Sequence, residues 1–266
     1  MSKMLDDWKA GRGLPGVLVI DGHTHPYRWM PGFRTPEDAA TEMLRLMDSY
    51  CVEASCLMGG GYMHNGCDYR DGNDFLMDCV RVSPDRLIPF AHVNPNCSPA
   101  TIRDDLDRMF DQGVRCIKLL NAYQGYPGDG PHLMMVYDYA QSRNMMILNH
   151  HWSEAEIRKI APQFHDLIMI RGHGGASKLA QEYPNLYDNT WSLHKLGVIE
   201  GGIQQFGSAK ILFGSDAIIN DPAVGIGLIV YADIAEEDKR AVLGLNMARL
   251  LYRVKALPSW LASWVS

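Results

Sequence analysis

The chain has 266 residues, 47% of them hydrophobic and 21% charged, with a formal net charge of −6. That length suits one large domain with a sizeable core. The acidic balance, with no block of lysines or arginines, excludes nucleic acid or an anionic membrane as the main partner, and no stretch reaches the roughly 18 apolar residues of a membrane helix.

Residues 1–15 read as a short N-terminal extension. Asp6, Asp7, Lys9 and Arg12 interrupt any apolar run there, so the segment is not a signal peptide. A rhythm then begins and repeats eight times: a short apolar run, a loop, and an amphipathic stretch. The runs are Val17–Ile20, Glu53–Met58, Leu87–His92, Arg115–Leu119, Met145–His150, Leu167–Ile170, Leu186–Asp188 and Ile211–Phe213. They are apolar without strict alternation, which is the pattern of strands covered on both faces in a parallel sheet. Thr35-Pro36 opens a helix, and Ser98-Pro99 opens another that Gly113 stops after Gln112; Ser153–Ala161 and Glu236–Leu251 are further helical stretches. Residues 256–266 form an apolar tail, with Trp260 and Trp264, that either packs under the domain or joins a subunit interface.

Strand then helix, eight times over, closes most simply into a (β/α)8 TIM barrel, distorted but a single domain over residues 1–266. An open doubly wound sheet is the alternative. Two features disfavour it: no G-x-G-x-x-G follows a strand, and the reactive polar residues cluster at the C-terminal ends of several strands. The six cysteines, Cys51, Cys56, Cys67, Cys79, Cys97 and Cys116, contain no C-x-x-C pair and read as reduced thiols in a cytoplasmic protein.

The chemistry starts at Asp21-Gly22-His23-Thr24-His25-Pro26. Residues two apart on a strand point the same way, so His23 and His25 can grip one ion. Met145–Asn149 runs into His150-His151-Trp152; the two histidines face opposite sides, so one of them can be a third ligand. Arg171-Gly172-His173-Gly174-Gly175 brings His173 over the mouth, and Phe213-Gly214-Ser215-Asp216 ends the eighth strand with a carboxylate that can complete a metal shell and accept a proton. Each taken singly has an ordinary structural explanation. Four strand ends that must meet at one face do not.

These residues resemble the amidohydrolase superfamily, in the branch with aminocarboxymuconate-semialdehyde decarboxylase and the benzoate-type decarboxylases. The resemblance spans Val19 to Leu251. Besides the motifs above, it is carried by Gly113–Leu119, Gln124-Gly125-Tyr126-Pro127 and Asn246-Met247-Ala248-Arg249-Leu250-Leu251. It implies one divalent ion, Zn2+ first with Mn2+ or Fe2+ as alternatives, on His23, His25, His150 and Asp216. It implies His150 rather than His151 because His-His-Trp resembles the decarboxylase His-Pro-Trp. Asp216 and His173 would be the catalytic pair, Asp216 moving the proton and His173 orienting water or polarising substrate. Leu120-Asn121 replaces the family's His-Pro, so that histidine's contribution is lost or moved. Lys118 is expected unmodified, as the partner of a nearby carboxylate such as Asp21; a carboxylated Lys118 bridging two ions is the lesser alternative.

The loops Pro26–Pro31, Gly59–Gly66 and Asn121–Pro127 are rich in aromatics and Met, which suits a small, flat organic substrate. Arg28, Tyr123 and Trp152 are the candidate substrate contacts, with Arg34 and Arg70 as further cations for an anionic group. Two reactions are expected: hydrolysis of an amide, ester or lactone, or non-oxidative decarboxylation of an aromatic or unsaturated acid, the second favoured if Arg28 or Arg34 turns inward. A non-enzymatic binding protein is the third reading. The expected partner is a small molecule, with neither nucleic acid nor membrane, and the tail leaves a homodimer open.

Overall fold

The computed structural model describes residues 3–28, 30–59, 69–174, 177–193 and 195–265. Eight strands form one sheet in the order of the chain: β1 (Ile20–Thr24), β2 (Ala54–Met58), β3 (Leu87–His92), β4 (Cys116–Leu119), β5 (Met146–Asn149), β6 (Ile168–Arg171), β7 (Leu186–Asn189) and β8 (Ile211–Leu212). All seven neighbour pairings from β1 to β8 are parallel. The seam between β8 and β1 is closed by backbone bonds rather than a regular ladder: Gly22 N–H donates to Phe213 O at 3.0 Å, Asp216 N–H to His23 O at 2.9 Å and His25 N–H to Ala217 O at 2.6 Å. The architecture is a (β/α)8 barrel, as expected, and not an open sheet.

The first strand differs from its expected range. Val17–Val19 are buried, but regular pairing begins at Ile20 opposite Ala54 and runs on through the polar Asp21–Thr24, with a register shift between Asp21 and Thr24. Apolarity located the buried approach, whereas the ladder itself continues into the motif that carries the chemistry.

Alternation explains which side chains face the barrel interior. Ile20, Ala54, Cys56, Met58, Ile88, Phe90, Cys116, Met146, Leu148, Ile168 and Ile170 form the inner core. Val19, Leu57, Leu87, Ile117, Leu119, Ile147 and Met169 face outward into clusters with the helices. Continued past the apolar positions, the inner parity lands on His92, Lys118, His150 and Gly172.

Helix α1 (Lys3–Lys9) precedes the barrel, and between the strands lie α2 (Pro36–Ser49), α3 (Tyr69–Val82), α4 (Pro99–Asp111), α5 (Pro131–Ser142), α6 (Glu154–Ile160), α7 (Lys178–Glu182) and α8 (Val198–Phe206). The expected caps are in place. Thr35 and Ser98 accept from Asp38 N–H and Thr101 N–H, Gly113 takes φ +95°, and Ser153 forms a reciprocal box with Glu156. The stretch expected as one helix over Glu236–Leu251 is Glu236–Arg240, a wide turn over residues 241–245, and then Asn246–Arg253. The widening has a local cause: Val242 O accepts from Phe213 N–H at 3.0 Å, so one helical carbonyl is diverted to the end of β8. Gly244 sits against the Leu18 backbone with no room for a side chain.

The tail folds back. Leu261 is fully buried, it joins the inner core cluster, and Val265 packs against that cluster. Cys51, Cys56, Cys79, Cys97 and Cys116 are free thiols, while Cys67 lies outside the described residues. Among the described residues no helix is long and apolar enough to cross a membrane.

Candidate metal centre at the barrel mouth

The β1–β8 seam builds the centre. Asp21, buried near the start of β1, accepts from His23 N–H at 3.1 Å, from Ser215 N–H at 2.9 Å and from the Ser215 hydroxyl at 2.5 Å. It thereby fixes the backbone of both segments that carry the reactive side chains. Burial pushes the Asp21 carboxyl up to about 6, against the opposing pull of the Ser215 bonds. The expected pairing of Lys118 with Asp21 is not made, because the Asp21 oxygens are taken by these donors.

His23, His25 and Asp216 converge. His23 Nε2 lies 2.8 Å from His25 Nε2, and Asp216 Oδ1 lies 3.4 Å from the first and 3.5 Å from the second. Ligand atoms about 2.0–2.2 Å from a common ion stand at edges of roughly this size. The donor chemistry fits too. His25 Nδ1 donates to Met58 O at 3.3 Å, which leaves Nε2 with its lone pair. Burial, reinforced by Lys118, holds both imidazoles well below their usual range, so both are neutral and able to ligate. Burial raises the Asp216 carboxyl to about 6, with Lys118 opposing. Among the described residues these three form a set of potential metal ligands within 4.8 Å of one another.

His150 stands beside this triangle. Its ring is 4.6 Å from that of His173, edge to face, with Nε2 atoms 3.2 Å apart, and Tyr123 packs on its other side at 4.6 Å. His151 is exposed. Strand parity therefore turns His150, not His151, toward the centre.

Trp191, just past β7, was not singled out in the sequence. Its ring lies 3.6 Å from His23, 5.0 Å from His173 and 5.9 Å from His150, with Lys118 Nζ 4.6 Å above it. Its indole donates to His173 Nε2 at 3.0 Å and so sets that ring's orientation. Gly172 is required beneath it, since a methyl group there would overlap the Trp191 ring. His173, Ser192 and Asp216 all take positive φ, at 52°, 56° and 65°. Left-handed backbone is uncommon for such residues and recurs where surrounding structure holds a functional side chain in place.

Tyr27 is buried and stacks on His25 at 4.6 Å. Tyr123 is half-exposed beside His150, as a substrate contact would be. The other two expected contacts are placed differently. Arg28 is paired with Asp71 and lies over the Phe75 ring, half in solvent. Trp152 points into the helix layer, where its indole donates to the Tyr137 hydroxyl at 3.0 Å. Arg70 is engaged with Asp104 and Asp105, and Arg34 is exposed. Trp29, the loop 60–68 and Gly175 lie outside the described residues.

The Amidohydrolase family profile matches residues 20–253. The chain belongs to the amidohydrolase family. No curated protein matches it. Solved structures do. An uncharacterised TIM-barrel protein from Bordetella bronchiseptica superposes with TM-score 0.75 at 17% identity, covering 90% of this chain and 100% of that one. A 2,6-dihydroxybenzoate decarboxylase from Rhizobium gives 0.67 at 16% identity, covering 89% and 98%. A dihydroxybenzoic acid decarboxylase from Polaromonas, solved with manganese and 2-nitroresorcinol, gives 0.68 at 16%, covering 91% and 99%. For this amidohydrolase such identities establish the shared fold.

Proposed function

We propose that this amidohydrolase is a divalent-metal-dependent enzyme that acts on a small, flat organic molecule at the barrel mouth, hydrolysing an amide, ester or lactone. The observation that carries the reading is the triangle of His23 Nε2, His25 Nε2 and Asp216 Oδ1. His23, His25 and Asp216 would hold the ion, with His150 as the fourth candidate. Two imidazoles and one carboxylate suit Zn2+, and Mn2+, the ion named for the Polaromonas decarboxylase, is the alternative. Such an ion supplies Lewis-acid polarisation and a water that loses its proton near neutrality.

The chain's own residues do the rest. Asp216, raised toward neutrality by burial, accepts a proton and returns it to the leaving group. His173, aligned by the Trp191 indole, orients the reacting oxygen from the solvent side. Asp21 keeps the β1 and β8 segments in register. Tyr123, exposed beside His150, provides a ring face for a planar substrate, and the buried Tyr27 and Trp191 hold the His25 and His23 rings in place.

Non-oxidative decarboxylation is the second reading. A buried cation inside the mouth, Lys118, favours it, as do the decarboxylases that share the fold. The test starts with metal content: purified protein carries close to one equivalent of transition metal, and His23→Ala/His25→Ala carries none. Full activity in metal-free protein would refute the proposal. Lactones and esters are then assayed for acid release, and dihydroxybenzoates for CO2, which separates the two reactions.

A further inference from the structure

The inner face of the mouth holds two buried nitrogens without a hydrogen-bond partner among the described residues. Lys118 is 1% exposed, and its Nζ makes no hydrogen bond among the described residues. His92 is 8% exposed, and its Nε2 is likewise buried without a partner. The two are cross-strand neighbours, with His92 on β3 directly opposite Lys118 on β4. Both occupy the inward parity, one step beyond Phe90 and Cys116 of the inner core. Lys118 Nζ sits over the Trp191 ring that walls the metal centre.

This is an expensive arrangement in a protein that otherwise pairs its charges. Arg28, Arg70, Arg86, Arg108, Arg158 and Arg171 all meet carboxylates. Of the two buried lysines described, Lys239 donates to Val230 O at 2.7 Å, whereas Lys118 Nζ has no hydrogen-bond partner. Burial pushes the Lys118 amine well below its usual range, and Asp216 opposes this only from a distance. A buried ammonium without a partner is costly, and folds retain one where a ligand completes it.

The position of His92 is not accidental either. Asn73 on α3 grips the His92 backbone from both sides, accepting from its N–H at 2.8 Å and donating to its carbonyl at 2.9 Å. Asn73 donates in turn to Asp105 at 3.0 Å, and Asp105 is held by Arg70 and Arg108. Gly59, where an added Cβ would lie 3.0 Å from the His92 Cβ and 3.5 Å from its ring, completes the cradle.

We propose that Lys118 and His92 form a two-donor pocket for a monovalent oxyanion of the substrate, a carboxylate. The inference deepens the proposed function, because it rests on the mouth being the substrate site. Two donors on adjacent strands match the two oxygens of a carboxylate. A neutral imidazole donates from Nε2, and an arriving carboxylate offsets the burial cost of the Lys118 ammonium, so that the bond is charge-assisted. Asp216 nearby disfavours a dianion such as phosphate. The task that the sequence assigned to Arg28 thus falls to Lys118, which stands inside the mouth while Arg28 is spent on Asp71.

The test uses the full chain, metal-loaded, with benzoate and its neutral isostere benzamide as probes, titrated calorimetrically. Wild type binds benzoate in preference to benzamide. Lys118→Met weakens benzoate by at least about tenfold, the loss of one charge-assisted bond, and leaves benzamide unchanged. His92→Phe weakens benzoate by a smaller factor, and Arg28→Met changes neither. Lys118→Met removes a buried charge without shortening the side chain much, so the fold is retained, and circular dichroism checks it. Absence of benzoate binding by wild type, or equal benzoate affinity in Lys118→Met, overturns the proposal. So does a carbamate resonance on 13C-bicarbonate addition that depends on Lys118, since the nitrogen would then be modified rather than free for substrate. Failure of the metal reading is a separate result: His23→Ala/His25→Ala would retain its metal while the benzoate data stand.

Discussion

One methyl group at Gly172 should disturb the centre through Trp191. In Gly172→Ala the new carbon would lie 2.5 Å from His150 O and closer still to two ring carbons of Trp191. Ordinary contact needs about 3.5–4.0 Å, so the indole must move by roughly 1 Å or more. Trp191 is 1% exposed and packed on His23, so no free volume receives it. Overpacking of this kind costs about 1–3 kcal/mol. At about 2–4 °C per kcal/mol for a chain near this size, the unfolding temperature falls by roughly 2–12 °C. The displaced indole also releases His173, whose 3.0 Å bond it supplies. Gly201→Ala on α8 is the control, because the added carbon meets nothing within 4 Å; it stabilises by up to about 1 kcal/mol as a helix-propensity gain. Scanning calorimetry and near-ultraviolet circular dichroism read both. Wild-type unfolding temperature and an unchanged indole signal in Gly172→Ala would refute the placement of Trp191.

The remaining predictions concern the residues behind the metal centre. Asn73→Ala removes three buried hydrogen bonds around His92 and should cost about 2–4 kcal/mol in urea unfolding at pH 7; a loss under about 0.5 kcal/mol would contradict the network. His92 carries a pH signature. Burial first, then Lys118, lowers it from the usual 6.5 to about 4. A depressed folded value means the contribution is present above 6.5 and lost as the pH falls toward 4, over a span worth about 3 kcal/mol. His92→Gln should therefore lose stability less steeply than wild type between pH 7 and 4.5; parallel profiles would show His92 to be solvated.

Much of the fold was legible because two signals are local. Apolar runs mark strands covered on both faces, and Thr35, Ser98 and Ser153 mark helix starts by their chemistry. His23 and His25 were legible from their spacing, and Asp216 from its place after the last strand. The rest depends on what a linear chain does not display. Arg28 read as a free cation because Asp71, 43 residues later, closes on it only in three dimensions. Trp152 lies next to the histidine pair in sequence, yet its side chain leaves the mouth for Tyr137. Trp191 and His92 form no motif; only counting inward parity past Phe90 would have flagged His92, and nothing in the seventh run pointed to Trp191. The break in the helix after Arg240 arises from a carbonyl lent to β8, which no helical periodicity encodes.

The seam between first and last strands has a consequence for biogenesis. Asp21 and Ser215, 194 residues apart, meet only when β8 docks. Any ribosome-bound intermediate lacking that final staple presents two imidazoles without their carboxylate. An ion captured at the completed triangle would act as a clasp, fastening the segment that follows β8 to β1.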